Sequence, residues 1–430
     1  MLQPPRRSLA ALVLPVVAGA AMTATAALAQ SGMNTTSLQH EVVLEDLENP
    51  WDMAFLEDGT MFFTEKCKGL SVRMPDGTVN ALLGMGGSES YPDTADDLFC
   101  EGQAGMMGVA VDPSFADNRR IYVYSTSNMS DPHTNRLMRL VVNEDFTGVS
   151  DRTDIVDDVP YKMAASDHPF GGPGAHNGGR VRFGPDGALW LTTGDNHNEE
   201  IPQSPTIMGS KVLRMDTDGN GHPDNSPPEG FDPRTYTYGH RNVQGIAFHP
   251  DTGATITAEH GPWHSDEITV LTNGGNGGWD PRPNMAGRGD CPDDYCGYSP
   301  NQNDGMNRYE RAAFMPMTDF DTYPDAMPPV WTNNGWSQGT SSAVFLEGEQ
   351  WGDWNGAMAV GIMGIGFGGT PIGQRIDVIE FNEEGTEVVD VTEMTLPMEA
   401  GRFRSLVLGP DGSLYTAVDE GMIHKLTPGN

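Results

Sequence analysis

The chain has 430 residues and carries 60 acidic against 25 basic side chains, a formal net charge of −35. A protein of this sign is repelled by nucleic acid and by anionic membrane surfaces, whereas calcium, a salty habitat or a cationic redox partner suit it. Its 53 glycines and 32 prolines favour many turns and few long helices.

The chain opens with Arg6 and Arg7, an apolar run from Leu9 to about Ala21, and small residues ending in Ala27-Leu28-Ala29. That order reads as a secretory signal peptide over residues 1–29, cleaved after Ala29, and no later segment is apolar for long enough to span a bilayer. The expected mature protein is periplasmic or secreted and forms a single domain over residues 30–430. Its cysteines, Cys67, Cys100, Cys291 and Cys296, are even in number, which in an exported chain points to two disulfides. The expected pairing is Cys67 with Cys100 and Cys291 with Cys296, although four cysteines allow three connectivities. No CxxC pair or close histidine favours zinc instead.

Six segments then share one shape, beginning at Asn49, Gly105, Gly178, Asn242, Thr340 and Arg402. Each is a short apolar strand, a turn built on Asp-Gly, Asp-Pro or Gly, and a second apolar strand, as in GGRVRFGPDGALWLTTGD. Six repeats over about 400 residues leave roughly 67 each, enough for a four-stranded blade with long connections. The expected fold is all-β, a six-bladed β-propeller of four-stranded antiparallel blades. In the third copy a histidine, His176, sits on a glycine-flanked loop just ahead of the first strand.

Other segments carry weaker signals. Asp216-Thr-Asp218-Gly-Asn220-Gly221 looks like the start of an EF-hand loop, but Pro227 stands where the closing glutamate belongs, so a turn is expected. Asp266 and Glu267 fit either a structural calcium site or ordinary exposed acids. The stretch from about Gly274 to Asn334, rich in Asn, Asp, Gly and Pro, reads as long loops over one face, where a propeller keeps its binding site.

Six motifs in order, GQAGMMGVAVDPSFADNRRIYV, HNGGRVRFGPDGALWLTTGD, GSKVLRMDTDG, YGHRNVQGIAFHPD, AEHGPWHSDEITVLTNGGNGGWD and GRFRSLVLGPDG, resemble the soluble glucose/sorbosone (aldose sugar) dehydrogenases that use pyrroloquinoline quinone (PQQ). The resemblance implies that His176 is the catalytic base. It implies that Arg241, Asn242 and Gln244 line quinone and substrate, with Arg241 also catalytic, and that Gln103 is a further pocket residue. Arg402 and Arg404 match arginines that hold the cofactor's carboxylates, although as alternating strand residues they also fit a solvated strand start. Gly261 and Pro262 match a pair whose main-chain carbonyls help bind calcium.

These residue types suit that chemistry. PQQ is a planar tricarboxylate, which the rigid, permanently charged guanidinium fork matches. Calcium takes hard oxygen ligands, and an imidazole accepts a proton near neutrality. The implied reaction is hydride transfer from the anomeric carbon of an aldose, or a related aldehyde such as sorbosone, to PQQ. No CxxCH haem motif is present, so a separate acceptor is implied, a c-type cytochrome or a quinone.

Two positions depart from the family pattern. Ala175 precedes the histidine where some members have aspartate, and Met363 and Gly364 stand where the family has a cofactor-contacting lysine on the fifth blade, with Arg375 as its only nearby replacement. A calcium-dependent lactonase on the same propeller and a non-catalytic carbohydrate-binding propeller are the competing readings.

Overall fold

The computed structural model describes residues 37–163, 172–262, 264–281, 310, 315–333, 335–365 and 373–429. Each of the six sequence phrases folds as an antiparallel hairpin. In chain order the hairpins are Pro50–Phe55 with Met61–Glu65, Met106–Val111 with Arg120–Ser127, Val181–Phe183 with Leu189–Thr192, Val243–Phe248 with Thr255–Glu259, Thr340–Phe345 with Met358–Ile362, and Phe403–Leu408 with Leu414–Val418. Most positions on these strands are buried on both faces, because neighbouring blades cover both. The Asp-Gly pairs make the turns as expected. Asp186 and Asp411 accept the backbone N–H two residues on, from Ala188 at 3.0 Å and Ser413 at 3.1 Å, while Gly187 and Gly412 adopt φ of 76° and 74°.

Further strands complete each hairpin as an antiparallel meander. The first blade alone adds a fifth, two-residue strand, Thr94–Ala95, running parallel to Val79–Met85. The sixth blade is finished from the other end of the chain, where Leu38–Leu44 pairs antiparallel with Met422–Pro428 and closes the ring. Inner strands touch from blade to blade, and Phe403–Leu408 meets Pro50–Phe55 to complete the circle. The result is the expected six-bladed β-propeller, with two short helices, Phe115–Asn118 and the 3₁₀ turn Glu349–Trp354, among the described residues.

The apolar core is divided among the joints between blades. Phe62 and Val123 belong to the cluster between the first and second blades, Tyr122 and Leu189 to the next, and Met53 and Ile423 to the one that joins the sixth blade back to the first. The axis itself is polar. Arg180, on the third blade's entry loop, is fully buried, pairs with Asp52 at 2.6 Å, and donates to the carbonyls of Gln244 (3.0 Å), Ser341 (3.2 Å) and Arg404 (2.9 Å). It stacks 4.5 Å over the Trp51 ring, so one side chain ties together five of the six blades. Asp52 also binds Arg182 and Ser405. Burial pushes its carboxyl up, but the two guanidiniums outweigh this and hold it below the usual carboxylate range.

The Asp216 segment is a turn: its carboxylate accepts the backbone N–H of Asp218 and Asn220, both at 2.9 Å. Cys67 and Cys100 are joined as a disulfide, while Cys291 and Cys296 lie outside the described residues. The stretch expected to be loops ends by supplying Trp331–Thr332, the fourth strand of the fourth blade.

Candidate active site

One end of the propeller gathers the beginnings of the inner strands and the ends of their hairpin partners. This follows from antiparallel pairing, which brings those two chain positions to the same edge of each blade. A cavity of about 390 Å³ opens there, within the size range of small-ligand sites. Gln103, His176, Arg241, Asn242, Gln244, Gly261, Arg402 and Arg404 all line it. Of the residues singled out in the sequence, Pro262 is buried beside it but outside its lining.

His176 sits in a strained backbone, with φ of 53°, which an ordinary side chain adopts only when its surroundings enforce it. Three partners do so. The main-chain carbonyl of His176 accepts from Asn196 Nδ2 at 3.1 Å, the ring Nδ1 lies 2.7 Å from Asp195 Oδ1, and Asn242 Oδ1 accepts from Gly178 N at 3.0 Å. Asp195 is fully buried, and it also accepts from Trp279 Nε1 at 2.8 Å and from His197 N at 2.9 Å. A carboxylate held by these donors can only accept at Nδ1, so Nδ1 carries the proton and Nε2 presents a lone pair. Arg241 Nη2 lies 3.2 Å from that Nε2 and Nη1 donates to the His260 carbonyl at 3.0 Å, as expected if Nε2 is the acceptor.

Glu259 fixes the Arg241 loop from below. Its carboxylate accepts from the backbone N–H of Arg241 and, at 2.9 Å, of Asn242, and lies 3.1 Å from His240 Nδ1. Asp266 fixes the calcium-candidate loop in the same way, accepting from Gly261 N at 2.9 Å, Gln338 N at 2.8 Å and Thr340 Oγ1 at 3.1 Å. Its oxygens are thus committed to the protein. Glu267 is buried beside Glu259, and burial, reinforced by that like charge, pushes its carboxyl well above the usual range. No group of three or more His, Cys, Asp or Glu side chains is arranged to hold a metal among the described residues.

The opposite wall is built differently. Arg402 and Arg404 share Asp419: Arg404 donates Nε to Oδ1 at 2.9 Å and Nη2 to Oδ2 at 2.7 Å, and Arg402 donates Nε to Oδ2 at 3.1 Å. Arg404 also reaches Gln244 Oε1 at 3.2 Å. Lys66 completes this wall. Four cations, Lys66, Arg241, Arg402 and Arg404, face a single carboxylate, Asp419, a net of three positive charges in a protein of charge −35. Two buried nitrogens of the lining, Arg241 Nε and His260 Nε2, have no hydrogen-bond partner among the described residues. Both features fit a small polyanion with several acceptor oxygens. Met363 and Gly364 line the cavity where the resemblance has a lysine, and Arg375 does not replace it, being engaged with Asp377 at 2.7 and 2.9 Å outside the lining.

Asp195, Trp279, Lys66 and Asp419 were not singled out from the sequence. Asp195 closes the TTGD of the most informative repeat, and its place two strands after His176 was the available signal. Trp279 arrives from the loop-rich stretch, whose composition says nothing about where one indole lands.

The fold and this site define a six-bladed propeller with a histidine–aspartate pair facing a cation-lined cavity. The Glucose / Sorbosone dehydrogenase family matches residues 47–425, and the chain belongs to that family, a family of oxidoreductases. Quinoprotein glucose dehydrogenase B of Acinetobacter calcoaceticus is 28% identical over 311 residues, covering 65% of this chain and 60% of its own length. Aldose sugar dehydrogenase YliI of Escherichia coli K12 is 25% identical, covering 91% of this chain and 93% of its own. The fold is that of the Escherichia coli soluble aldose sugar dehydrogenase in its apo form (TM-score 0.67, 23% identity, 91% of this chain and 100% of that one). It is also that of the PQQ-bound aldose sugar dehydrogenase of Streptomyces coelicolor (TM-score 0.64, 22% identity, 91% and 98%).

Proposed function

We propose that the protein is an exported, PQQ-dependent dehydrogenase that oxidises the anomeric carbon of an aldose, or a related aldehyde such as sorbosone. The observation that carries this reading is the pairing of an oriented histidine base with a cavity lined by three net positive charges. The charge matches a tricarboxylate, and Arg402, Arg404 and Lys66 would hold it, with Gln103, Asn242, Gln244 and Arg241 completing its surround. Bound PQQ supplies the quinone that accepts the hydride. His176 Nε2 takes the proton of the anomeric hydroxyl as that carbon is oxidised, and the substrate hydroxyl replaces Arg241 Nη2 at the imidazole lone pair. Asp195 keeps Nδ1 protonated and stabilises the imidazolium that results. The product of an aldose is a lactone, which water opens to the aldonic acid.

Calcium, in this reading, would be held by the main-chain carbonyls of Gly261 and Pro262, since Asp266 already serves the backbone of that loop, and would act as a Lewis acid. The lactonase alternative needs carboxylates and an asparagine around one central metal. Here the axis is held by the Arg180–Asp52 pair. A signal peptide cleaved after Ala29 would place the enzyme in the periplasm or outside the cell. The electron acceptor is then a basic c-type cytochrome, steered by the acidic surface, or a quinone.

The test is reconstitution of purified, metal-stripped mature protein with PQQ and calcium, followed by dye reduction across a panel of aldoses. Sugar-dependent turnover that disappears in His176→Ala is the expected result. Failure of the wild-type protein to take up PQQ overturns the proposal.

A further inference from the structure

Arg402 and Arg404 are paired with Asp419, but among the described residues Lys66 has no carboxylate within 4 Å. It follows the strand Met61–Glu65, its Nζ donates to the Gly102 carbonyl at 2.8 Å, and an ammonium has three donors to give. Burial and then the charge of Arg404 lower its pKa below the usual lysine value, as expected of a cation held among cations. The chain nevertheless fixes it there. Cys67, the next residue, is bonded to Cys100, and the Lys66 carbonyl accepts from Met106 N at 2.9 Å. Gly105 runs so close that a side-chain carbon on it would lie 2.2 Å from that same carbonyl. The first hairpin's end and the segment 100–106 are therefore stapled together at the cavity wall, with Lys66 and Gln103 lining it from the two stapled pieces.

We propose that Lys66 anchors a carboxylate of the anionic cofactor, and that the Cys67–Cys100 bridge is the brace that positions it. This rests on the reading that the cavity takes PQQ. Among the described residues, Lys66 uses one donor on Gly102 and faces the like charge of Arg404. A carboxylate relieves both conditions, and the bridge limits how far the ammonium can withdraw into solvent. A merely structural lysine, one that only fastens the segment 100–106, would affect the folding of the cofactor-free protein instead.

The experiment is a titration of the calcium-loaded, cofactor-free protein with PQQ, read by quenching of tryptophan fluorescence, Trp51 being in the cavity wall. Lys66→Met is expected to raise Kd roughly ten- to a hundredfold, the scale of one charged hydrogen bond, and to shrink the preference for PQQ over its trimethyl ester. Lys66→Arg should recover most of the affinity, and thermal melting of the cofactor-free Lys66→Met protein should match wild type. Cys67→Ser/Cys100→Ser should raise Kd several-fold with Lys66 present and leave it unchanged in the Lys66→Met background. Equal PQQ affinity in wild type and Lys66→Met overturns the proposal while leaving the cofactor reading intact. Absence of quenching in the wild type overturns the cofactor reading itself.

Discussion

The two walls of the cavity solve different problems. On the side of the third and fourth blades, each functional group is oriented by a second one: Asp195 orients His176, Trp279 and His197 orient Asp195, and Glu259 orients the Arg241 backbone. On the side of the sixth and first blades, cations outnumber carboxylates, and one aspartate serves two arginines. The first wall fixes direction, which proton transfer requires. The second supplies net charge, which holding an anion requires and which tolerates a looser geometry. A change in one wall should therefore alter rate with little effect on affinity, and a change in the other should do the reverse.

The largest effect expected from breaking this division lies in the first wall. His176→Ala and Asp195→Asn should each lower kcat by up to about 10⁴-fold, the scale on which a general base or the residue fixing its tautomer is lost. PQQ affinity by fluorescence should stay within a few-fold of wild type in both. A large rise in Kd with kcat preserved at saturating cofactor would mean that the histidine holds the cofactor and does not act as base.

Arg180 lies beneath both walls, donating to the Gln244 and Arg404 carbonyls while paired with Asp52. Arg180→Met leaves Asp52 with Arg182 as its remaining cationic partner, and should cost about 3–5 kcal/mol of stability in a denaturant titration. Both rate and affinity should suffer together, unlike any change confined to one wall.

Asp419 offers a sharper contrast with Asp195. Burial raises its carboxyl, but Arg404 and Arg402 outweigh that and keep it ionised below the usual range. Asp419→Asn removes the one negative charge of the lining. It should destabilise the cofactor-free protein by about 2 kcal/mol, because two guanidiniums lose their shared partner. PQQ should nonetheless bind at least as tightly, since the net charge of the lining rises by one. Weaker binding would show that the aspartate's role is to aim the arginines, making the second wall as directional as the first.

What was legible in the sequence divides along the same line. The blade hairpins were legible because strand, Asp-Gly turn and strand are local, and the six phrases beginning at Asn49, Gly105, Gly178, Asn242, Thr340 and Arg402 coincide with the six inner hairpins. The site residues around those strands were named through the family resemblance of their motifs, and the fold brings all of them but Pro262 to one lining. The supporting contacts were not legible. His176 meets Trp279 through Asp195, and Arg180 meets Asp52 across the axis, so no local pattern records either pairing. The absence of aspartate at position 175 raised the question of what orients His176. The answer lay 19 residues downstream, in a residue whose neighbours read simply as the end of a strand.

The smallest expected effect concerns what the second wall stands on. The sixth blade is closed by the N-terminal strand, and across that closure His40 Nε2 and His424 Nδ1 lie 2.9 Å apart. Burial, then the neighbouring His40, lower the His424 pKa to about 4 from its ordinary 6.5. A base whose folded pKa is depressed binds fewer protons folded than unfolded between those two values, so stability rises with pH across that window and is lost as pH falls from about 6.5 towards 4. The ring is buried where the N-terminal strand closes the blade, and the effect should be on the order of 1 kcal/mol. His424→Gln should flatten the pH dependence of stability by that amount relative to wild type, a difference in which the other histidines cancel. Hydrogen exchange at pH 5 should open Leu38–Leu44 and Met422–Pro428 before the third blade, so that acid loosens the charge-supplying wall while the oriented one still holds. Equal protection of the two regions at pH 5 would mean that the ring opens as a single unit and that the walls, though different in chemistry, share one stability.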